Sequence, residues 1–257
     1  MIHQDSIHLK NLKPNPILKA LGIIGNSIWI LIIMVLFLRI VYQQVQVDGL
    51  SMYPNYDDKQ YLLVNQFDKN YRRGQVVALF AHRNFANEVA NKMNPIQSYI
   101  ARFDCQNPRS QLEESCKAKF YLKRIVGLPN EEIEIIGGSV IIYSKDHPQG
   151  TLLVEDYIPS TTIKSEDDRN YYLPRTKIAD KEYFAMGDNR SNSMDSRILG
   201  TFADYSIFGQ ENFRIIPTSS FHIFNIPEYN YKPIPSNIKQ KSVDSADIII
   251  EQTAQKN

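Results

Sequence analysis

Hydrophobic residues are concentrated in one uncharged run near the start of the chain. No charged residue occurs from Ala20 to Leu38, and Lys19 and Arg39 bracket the run. Because a helix rises about 1.5 Å per residue, this run nearly crosses a hydrocarbon core about 30 Å thick. No Ala-x-Ala-like cleavage site follows it, which disfavours a removable signal peptide. The pattern predicts a permanent transmembrane anchor over residues 20–42, with a buried helix of a soluble protein as the alternative.

Charges on either side of the anchor predict its orientation. Lys10, Lys13 and Lys19 precede it, whereas residues 41–56 contain no Lys or Arg. Cytoplasmic flanks of membrane helices carry an excess of basic residues. Residues 1–19 are therefore expected in the cytoplasm, and the chain beyond about residue 42 outside it.

The next part of the chain, to about residue 231, consists of short runs rich in Val, Ile, Tyr and Phe, separated by Gly, Pro, Asn and Asp. Runs of this kind predict strands, and Gly137-Gly138 between two of them predicts a tight hairpin. The predicted strands are Gln60–Val64, Gln75–Phe80, Lys119–Val126, Glu131–Ile136, Ser139–Tyr143 and Lys181–Met186. The pattern indicates a mostly β extracytoplasmic domain over residues 43–231.

Two segments depart from the strand pattern. Residues from 81 to about 118 are polar and separate two predicted strands, so we interpret them as an excursion that carries surface loops. Residues 232–257 are rich in Pro, Lys, Gln, Ser and Asp, with only Ile248–Ile250 as an apolar island. This composition predicts a disordered tail.

Overall composition narrows the class of protein. The 29 Lys and Arg residues nearly balance the 28 Asp and Glu residues, so the chain lacks the basic signature of nucleic-acid binding. Its two cysteines are Cys105 and Cys116, and no Cys/His cluster has metal-ligand spacing. We expect no metal or other cofactor, and a disulfide between the two cysteines in an oxidising compartment.

Candidate chemistry begins with Ser51, which lies just beyond the anchor. A serine hydroxyl needs an adjacent base to act as a nucleophile. None of the histidines beyond the anchor, at positions 82, 147 and 222, lies in a recognisable triad motif. Lys123 is the alternative base, but a lysine of ordinary pKa, about 10.4, is protonated at neutral pH. It must be desolvated to accept a proton.

The residues around Lys123 supply that desolvation. In a strand, Tyr121, Lys123 and Ile125 share one face while Arg124 points to the other. Burial without a carboxylate partner disfavours the ammonium form and lowers the pKa of a lysine. The structural alternative is an edge-strand lysine that discourages aggregation.

Four segments resemble the sequence boxes of bacterial type I signal peptidases, membrane-anchored Ser/Lys proteases that remove signal peptides from exported preproteins. Residues 49–54, Gly-Leu-Ser-Met-Tyr-Pro, are similar to the nucleophile box, and residues 73–77, Arg-Gly-Gln-Val-Val, to the strand box that follows it. Residues 121–129 resemble the lysine box, and residues 187–197 the fourth box. All four occur in the family's order after an anchor.

By position, the resemblance implies roles for individual residues. Ser51 attacks the scissile carbonyl, Lys123 takes its proton, and the Ser193 hydroxyl orients the lysine amine through a hydrogen bond. The residues implied to form a polar scaffold around the active-site loop are Arg124, Asp188, Asp195 and Arg197.

The chain also departs from the family pattern. Gly49 falls where some members carry a serine that helps to stabilise the oxyanion, so the backbone N–H of Ser51 is expected to act with less side-chain help. Gln75 replaces the usual acid of the strand box, Asn130 the usual glycine after the lysine box, and Leu199 the usual aromatic residue. These differences affect local geometry rather than the chemistry.

The resemblance further implies an antiparallel β catalytic core with a smaller inserted β region, on one transmembrane helix in the bacterial plasma (inner) membrane. The expected partners are exported preproteins with small residues before the cleavage site, membrane lipid and the protein export machinery. Met52, Tyr53 and Tyr56 are candidates for an apolar surface that rests on the membrane.

Two other interpretations remain open. The first is a related Ser/Lys membrane protease that matures one pilin or conjugation protein. The second is a catalytically inactive anchored module that presents signal peptides to a partner. The presence of Ser51, Lys123 and Ser193 together argues against the second.

Overall fold

The computed structural model describes residues 16–80, 120–158, 172–216, 222–223, 226 and 229–238. The chain divides into two units, residues 1–42 and 43–257, which are considered separately. The predicted excursion of residues 81 to about 118 and the predicted disulfide between Cys105 and Cys116 lie outside the described residues. Of the predicted cytoplasmic segment, residues 1–19, only 16–19 are described, and of the predicted tail, residues 232–257, only 232–238.

The first unit contains helix α1, Pro16–Val41. Its segment Ala20–Leu38 has a mean hydropathy of 2.5 and is the one stretch, within the described ranges, that is long and apolar enough to cross a membrane. Large apolar side chains are exposed along its whole length, including Trp29 near the middle. Ser27, a polar residue of the run, donates its hydroxyl to the Ile23 carbonyl at 2.9 Å, so its polar group is satisfied within the helix.

The second unit is built from antiparallel strands. The strands in chain order are β1 Tyr42–Gln46, β2 Tyr61–Asn65, β3 Val76–Phe80, β4 Phe120–Gly127, β5 Glu132–Ile136, β6 Ser139–Tyr143, β7 Thr151–Val154, β8 Leu173–Lys177, β9 Glu182–Met186, β10 Phe202–Ala203, β11 Ile207–Ile216, β12 His222–Ile223 and β13 Asn230–Lys232. A short helix, α2, spans Ser196–Leu199. The mostly β prediction is therefore confirmed.

Eight strands form the larger sheet, in the order β1-β2-β11-β3-β4-β9-β10, with β12 paired to β11. Strands β3 and β4 are adjacent although residues 81–119 separate them, and Val77 lies opposite Lys123 in their register. Strand β4 is enclosed by β3 and β9, so its central residues have apolar neighbours on both sides. This position buries Lys123.

The smaller sheet has the order β13-β7-β6-β5-β8. Four of its strands lie between β4 and β9 in the sequence, so this β region is an insertion into the larger sheet. The predicted hairpin is present: Ile136 pairs with Ser139, and Gly137 and Gly138 both have positive φ, +56° and +79°. Two consecutive positive φ angles are what a type I′ hairpin turn requires.

One expectation about the surface is wrong. Met52 and Tyr56, proposed to face the membrane, are buried in a cluster with Val47, Leu62, Val76 and Leu122, whereas Tyr53 is 48% exposed. The Tyr56 N–H donates to the Met52 carbonyl at 3.0 Å and the Tyr53 N–H to the Leu50 carbonyl at 3.1 Å. This helix-like turning directs residues 52 and 56 inward together and residue 53 outward.

Candidate active site

Ser51 lies in a tight turn that follows Gly49. Gly49 has φ of +91°, a conformation that other residues rarely adopt, and its N–H donates to Asp58 Oδ1 at 2.8 Å. The turn is tied to the loop of residues 187–195, because Asn189 donates its N–H to the Ser51 carbonyl at 3.0 Å and its side-chain amide to the Leu50 carbonyl at 3.1 Å. The nucleophile box and the fourth box are thus in direct contact.

Lys123 reaches this turn from β4. Its Nζ lies 2.7 Å from Ser51 Oγ and 3.0 Å from the Leu122 carbonyl oxygen. The residue is only 1% exposed, and its Nζ lies 5.5 Å from the centre of the Tyr121 ring, on the same face of the strand. Tyr121 and Lys123 therefore lie on the same face of β4, as the alternation of side chains predicts.

Burial controls the ionisation of Lys123. It is the main cause that lowers the pKa of the amine from 10.5 to about 8; the negative charges of Asp195 and Asp188 oppose the shift, and the positive charge of Arg197 adds to it. Among the residues that the structure describes, no carboxylate forms an ion pair with Lys123. A lysine in this setting is neutral in a large fraction of molecules near pH 8.

Arg124, the next residue of β4, has a full set of partners. Its Nε and Nη2 donate to the two carboxylate oxygens of Asp188 at 2.8 and 2.6 Å, and its Nη1 donates to the Gly74 carbonyl at 2.8 Å. Asn55, in the nucleophile turn, donates its amide to Asp188 Oδ2 at 2.9 Å. The Arg124–Asp188 pair therefore joins β4, the turn of Ser51 and the loop of the fourth box.

Asp195 and Arg197 form a second two-bond pair in the fourth box. Arg197 Nε and Nη2 donate to the two oxygens of Asp195 at 2.9 and 2.8 Å. Asp195 also accepts the Gly187 N–H at 2.9 Å and caps α2. Burial by itself raises the pKa of Asp195, but the bonds from Arg197 and Gly187 outweigh it and lower the pKa. The carboxylate is a fixed anion that shapes the loop.

The Ser193 hydroxyl oxygen is buried next to the nucleophile turn. A Cβ added to Gly187 would collide with Ser193 Oγ and with the Ser51 carbonyl oxygen, so Gly187 permits their close packing. The Ser193 hydroxyl is near enough to Asp195 to lower the pKa of that carboxyl, yet no group in the described part of the chain is in hydrogen-bonding geometry with its Oγ. The hydrogen bond to Lys123 that the resemblance implied is not formed here.

The departures from the family pattern have local structural explanations. Asn130 has φ of +67°, which asparagine tolerates better than other residues except glycine. The Gln75 side chain accepts the Arg72 N–H at 2.5 Å, and Leu199 packs against the core cluster that contains Ile125. Nothing lies within 4 Å of a Cβ built on Gly49, so there is open space where some family members carry a serine side chain.

Sequence reasoning missed three residues that support these groups: Asn55, Arg190 and Tyr157. Arg190 forms a buried ion pair with Glu155, and the Tyr157 ring lies 4.3 Å from the Arg124 guanidinium carbon. No local pattern marks Asn55 or Tyr157, because their partners are distant in the sequence. Arg190 lies within the fourth box, but its partner Glu155 does not. In the part of the chain that the structure describes, no three His, Cys, Asp or Glu side chains come together as metal ligands.

Comparison with known proteins identifies the family. The family model of signal peptidases, peptidase S26, matches residues 21–216. The chain belongs to the signal peptidase family. Signal peptidase I of Bacillus amyloliquefaciens is 29% identical over 194 residues, which are 72% of this chain and 82% of that protein. Signal peptidase I S of Bacillus subtilis (strain 168) is 28% identical over 202 residues, 75% of this chain and 88% of that protein.

Two further matches cover a smaller share of the chain. Probable signal peptidase I-1 of Synechocystis is 34% identical over 99 residues, 38% of this chain and 44% of that protein. A solved structure of a signal peptidase I from Enterococcus faecalis V583 is 21% identical, covers 55% of this chain and 96% of its own, and has a TM-score of 0.33.

Proposed function

We propose that this signal peptidase is a membrane-anchored serine endopeptidase that removes signal peptides from exported preproteins through a Ser51 nucleophile and a Lys123 base. The observation that carries the proposal is the 2.7 Å contact between Lys123 Nζ and Ser51 Oγ at a fully buried lysine. The family membership supports the reaction, and the lowered pKa of Lys123 supports the choice of base.

Acylation begins with the neutral amine of Lys123. In that form the Ser51 hydroxyl donates its hydrogen bond to Nζ, and the proton moves to Nζ as Oγ bonds to the scissile carbonyl carbon. The carbonyl electron pair moves to the oxygen. When the C–N bond then breaks, the Lys123 ammonium returns the proton to the leaving amine, which becomes the new N-terminus. The signal peptide remains as an ester on Ser51.

Deacylation uses the same two residues with water as the nucleophile. Lys123, neutral again, takes a proton from a water molecule whose oxygen attacks the ester carbonyl carbon. The C–Oγ bond breaks, and the proton on Lys123 passes to Ser51 Oγ. Both residues return to their starting forms, so the cycle needs no cofactor.

The oxyanion of each tetrahedral intermediate is assigned to the backbone N–H of Ser51. Gly49 supplies no hydroxyl, and one missing donor is typically worth about 100- to 1,000-fold in rate. Residues Arg124, Asp188, Asp195 and Arg197 act as a scaffold in this proposal: their two-bond pairs fix the loop against the turn, and because each carboxylate is paired with an arginine, neither is available to hold Lys123 as an ammonium.

We place the catalytic domain outside the cytoplasm on α1, in the plasma membrane, where it meets signal peptides delivered by the export machinery. A substrate in extended conformation would pair along a strand edge, with small pockets for alternate side chains. Small pockets fit the Ala-x-Ala-like sites that precede signal-peptide cleavage.

The decisive experiment uses the purified full-length protein in detergent with a model preprotein. The wild type is expected to cleave at the signal-peptide junction and Ser51→Ala to leave the preprotein intact. Ser144→Ala, in the turn after β6 and outside the site, is the matched control and should cleave like the wild type. Cleavage by Ser51→Ala at the wild-type rate would remove the proposal, and an inactive wild type would favour the binding module.

Topology needs its own test. Protease added to spheroplasts should digest the domain beyond residue 42, whereas protease added to inverted vesicles should not. Digestion only from the cytoplasmic face would reverse the orientation and contradict a role on exported preproteins.

A further inference from the structure

Residues 155–157, which follow β7 of the smaller sheet, contact all three segments that carry the proposed site. These segments are the nucleophile turn of residues 51–56, strand β4 and the loop of residues 187–195. The contacts come from the Glu155 carboxylate, the Tyr157 ring and the Tyr157 carbonyl.

Glu155 holds the loop. Its two carboxylate oxygens accept Arg190 Nη1, at 2.7 Å, and Nη2. Both side chains are buried, 9% exposed for Glu155 and 4% for Arg190. Arg190 Nε also donates to the Gly187 carbonyl at 3.2 Å, and the Arg190 carbonyl accepts Arg197 Nη1 at 2.8 Å. The loop between Gly187 and Arg197 is therefore anchored to the smaller sheet.

Tyr157 holds the other two segments. Its ring lies 4.3 Å from the guanidinium carbon of Arg124, on β4, and its carbonyl accepts the Asn55 amide at 2.9 Å, from the nucleophile turn. Its hydroxyl donates to Glu155 and accepts the Tyr229 hydroxyl at 3.1 Å. One residue thus links the segment of Ser51 to the strand of Lys123.

The position of Asn55 shows why this link matters for the reaction. Its amide nitrogen donates both to the Tyr157 carbonyl and to Asp188 Oδ2, which is also bound by Arg124. A shift of Arg124 or of Tyr157 would therefore move the turn that carries Ser51 relative to Lys123. Misplacement of reacting groups by about 1 Å can cost about 100-fold in rate.

We propose that Tyr157 is a positioning residue of the peptidase: together with Glu155 it uses the inserted smaller sheet to set the distance between Ser51 and Lys123. This inference rests on the proposed function. On this proposal the inserted sheet contributes to catalysis by positioning, a role that the four sequence boxes do not indicate.

The test measures kcat and KM of full-length variants on a fluorogenic peptide with Ala-x-Ala before the scissile bond, at a temperature below every Tm. Tyr157→Ala should lower kcat about 10- to 100-fold and change KM less than about twofold. Tyr157→Phe, which keeps the ring over Arg124, should recover most of the rate. If Tyr157→Ala does not fold, Tyr157→Leu keeps most of the volume without the aromatic face and carries the same expectation.

Tyr143→Ala is the matched control. Tyr143 lies on β6 of the smaller sheet. The centre of its ring lies 3.8 Å from the Arg175 guanidinium carbon, and its hydroxyl donates to Glu134 at 2.6 Å, so Tyr143→Ala removes the same kinds of contact as Tyr157→Ala but away from the site. It should retain wild-type kcat. A kcat of Tyr157→Ala within about twofold of wild type would overturn the inference. An inactive wild type and an inactive Tyr143→Ala would instead remove the proposed function itself.

Discussion

Lys123 and Arg124 are consecutive buried cations on β4, yet their surroundings differ completely. Lys123 is 1% exposed and Arg124 7%. Arg124 meets the Asp188 carboxylate through two hydrogen bonds, and although burial alone would lower its pKa, that carboxylate raises the pKa well above its ordinary value. Among the described residues, Lys123 has only a hydroxyl and a carbonyl oxygen at hydrogen-bonding distance, and burial lowers its pKa to about 8.

The contrast shows that the hydrogen-bonding partner, rather than the degree of burial, decides whether the pKa of a buried basic side chain is raised or lowered. Strand alternation sends the two side chains to opposite faces. Within the described residues, Arg124 forms an ion pair with the Asp188 carboxylate, whereas no carboxylate forms an ion pair with Lys123. The desolvation cost is only partly offset at Lys123, by the more distant charges of Asp195 and Asp188, and is more than offset at Arg124. Strand β4 therefore carries a proton acceptor, Lys123, next to Arg124, whose ion pair with Asp188 fixes the segments around the acceptor.

The largest expected effect comes from removing the acceptor. Lys123→Met has similar length and no amine, so we expect cleavage to fall by about 10,000-fold or more. Thermal stability at neutral pH should be unchanged or slightly raised, because the lowered pKa corresponds to a penalty of roughly 3 kcal/mol for a buried ammonium. Preprotein cleavage and the Tm of the same variant are measured together.

The difference in stability between Lys123→Met and the wild type should depend on pH. The unfolded lysine keeps its proton up to about pH 10.5, whereas the folded one loses it near pH 8, so the penalty is full below pH 8 and vanishes above about 10.5. The advantage of Lys123→Met should fade over that window. Lys145→Met, at an exposed lysine, is the control and should alter neither property. A stable, active Lys123→Met protein would contradict the Ser/Lys mechanism.

The opposite outcome is expected at Arg124. Arg124→Met leaves the Asp188 carboxylate buried without its main partner, and breaking a buried pair in this way costs about 3–5 kcal/mol. We expect a large fall in the free energy of unfolding from denaturant titration, together with reduced cleavage. The double variant Arg124→Met/Asp188→Asn removes the orphaned charge and should recover part of the stability. If the single and the double variant lost the same free energy of unfolding, the unpaired Asp188 carboxylate would not be the cause of the loss.

The sequence predicted much of this contrast, because it depends on local pattern. Alternation within residues 119–126 predicted the opposite faces, and apolar runs located the strands that became β2 to β6 and β9 to within about one residue. The contact between Ser51 and Lys123 followed only from family resemblance, since residues 72 positions apart in the chain meet through tertiary structure.

The rest depended on interactions that no window of sequence contains. Strand β11 crosses the larger sheet, but Gly209, Gln210, Glu211 and Asn212 interrupt its apolar run, so no strand was predicted there. Pairing with β2 and β3 buries Gly209 and Gln210, whereas Glu211 and Asn212 stay partly exposed. The contacts of Tyr157 and the burial of Met52 and Tyr56 similarly arise from packing between distant segments.

The pH dependence of the wild type tests the pKa difference directly. Because only the neutral amine accepts a proton, kcat/KM should rise about tenfold per pH unit and bend near pH 8. Glu211 is a second group with this pKa: burial raises it to about 8. The bend should therefore persist in Glu211→Gln. A bend near pH 10 would mean that Lys123 keeps its ordinary pKa. If the bend were lost in Glu211→Gln, the group that titrates near pH 8 would be Glu211 and not Lys123.

The smallest effect is expected where an ion pair is exposed. Arg175 and Glu132 form a pair on the smaller sheet with side chains 48% and 36% exposed, so water competes for both charges and screens their attraction. Such pairs contribute about 0–1 kcal/mol. Glu132→Gln should lower the free energy of unfolding by less than about 1 kcal/mol, with cleavage unchanged. Its effect should shrink further in about 1 M salt, whereas the Arg124→Met effect should persist there. A loss at Glu132 as large as that at Arg124 would contradict the conclusion that burial of the partner carboxylate sets the strength of these pairs.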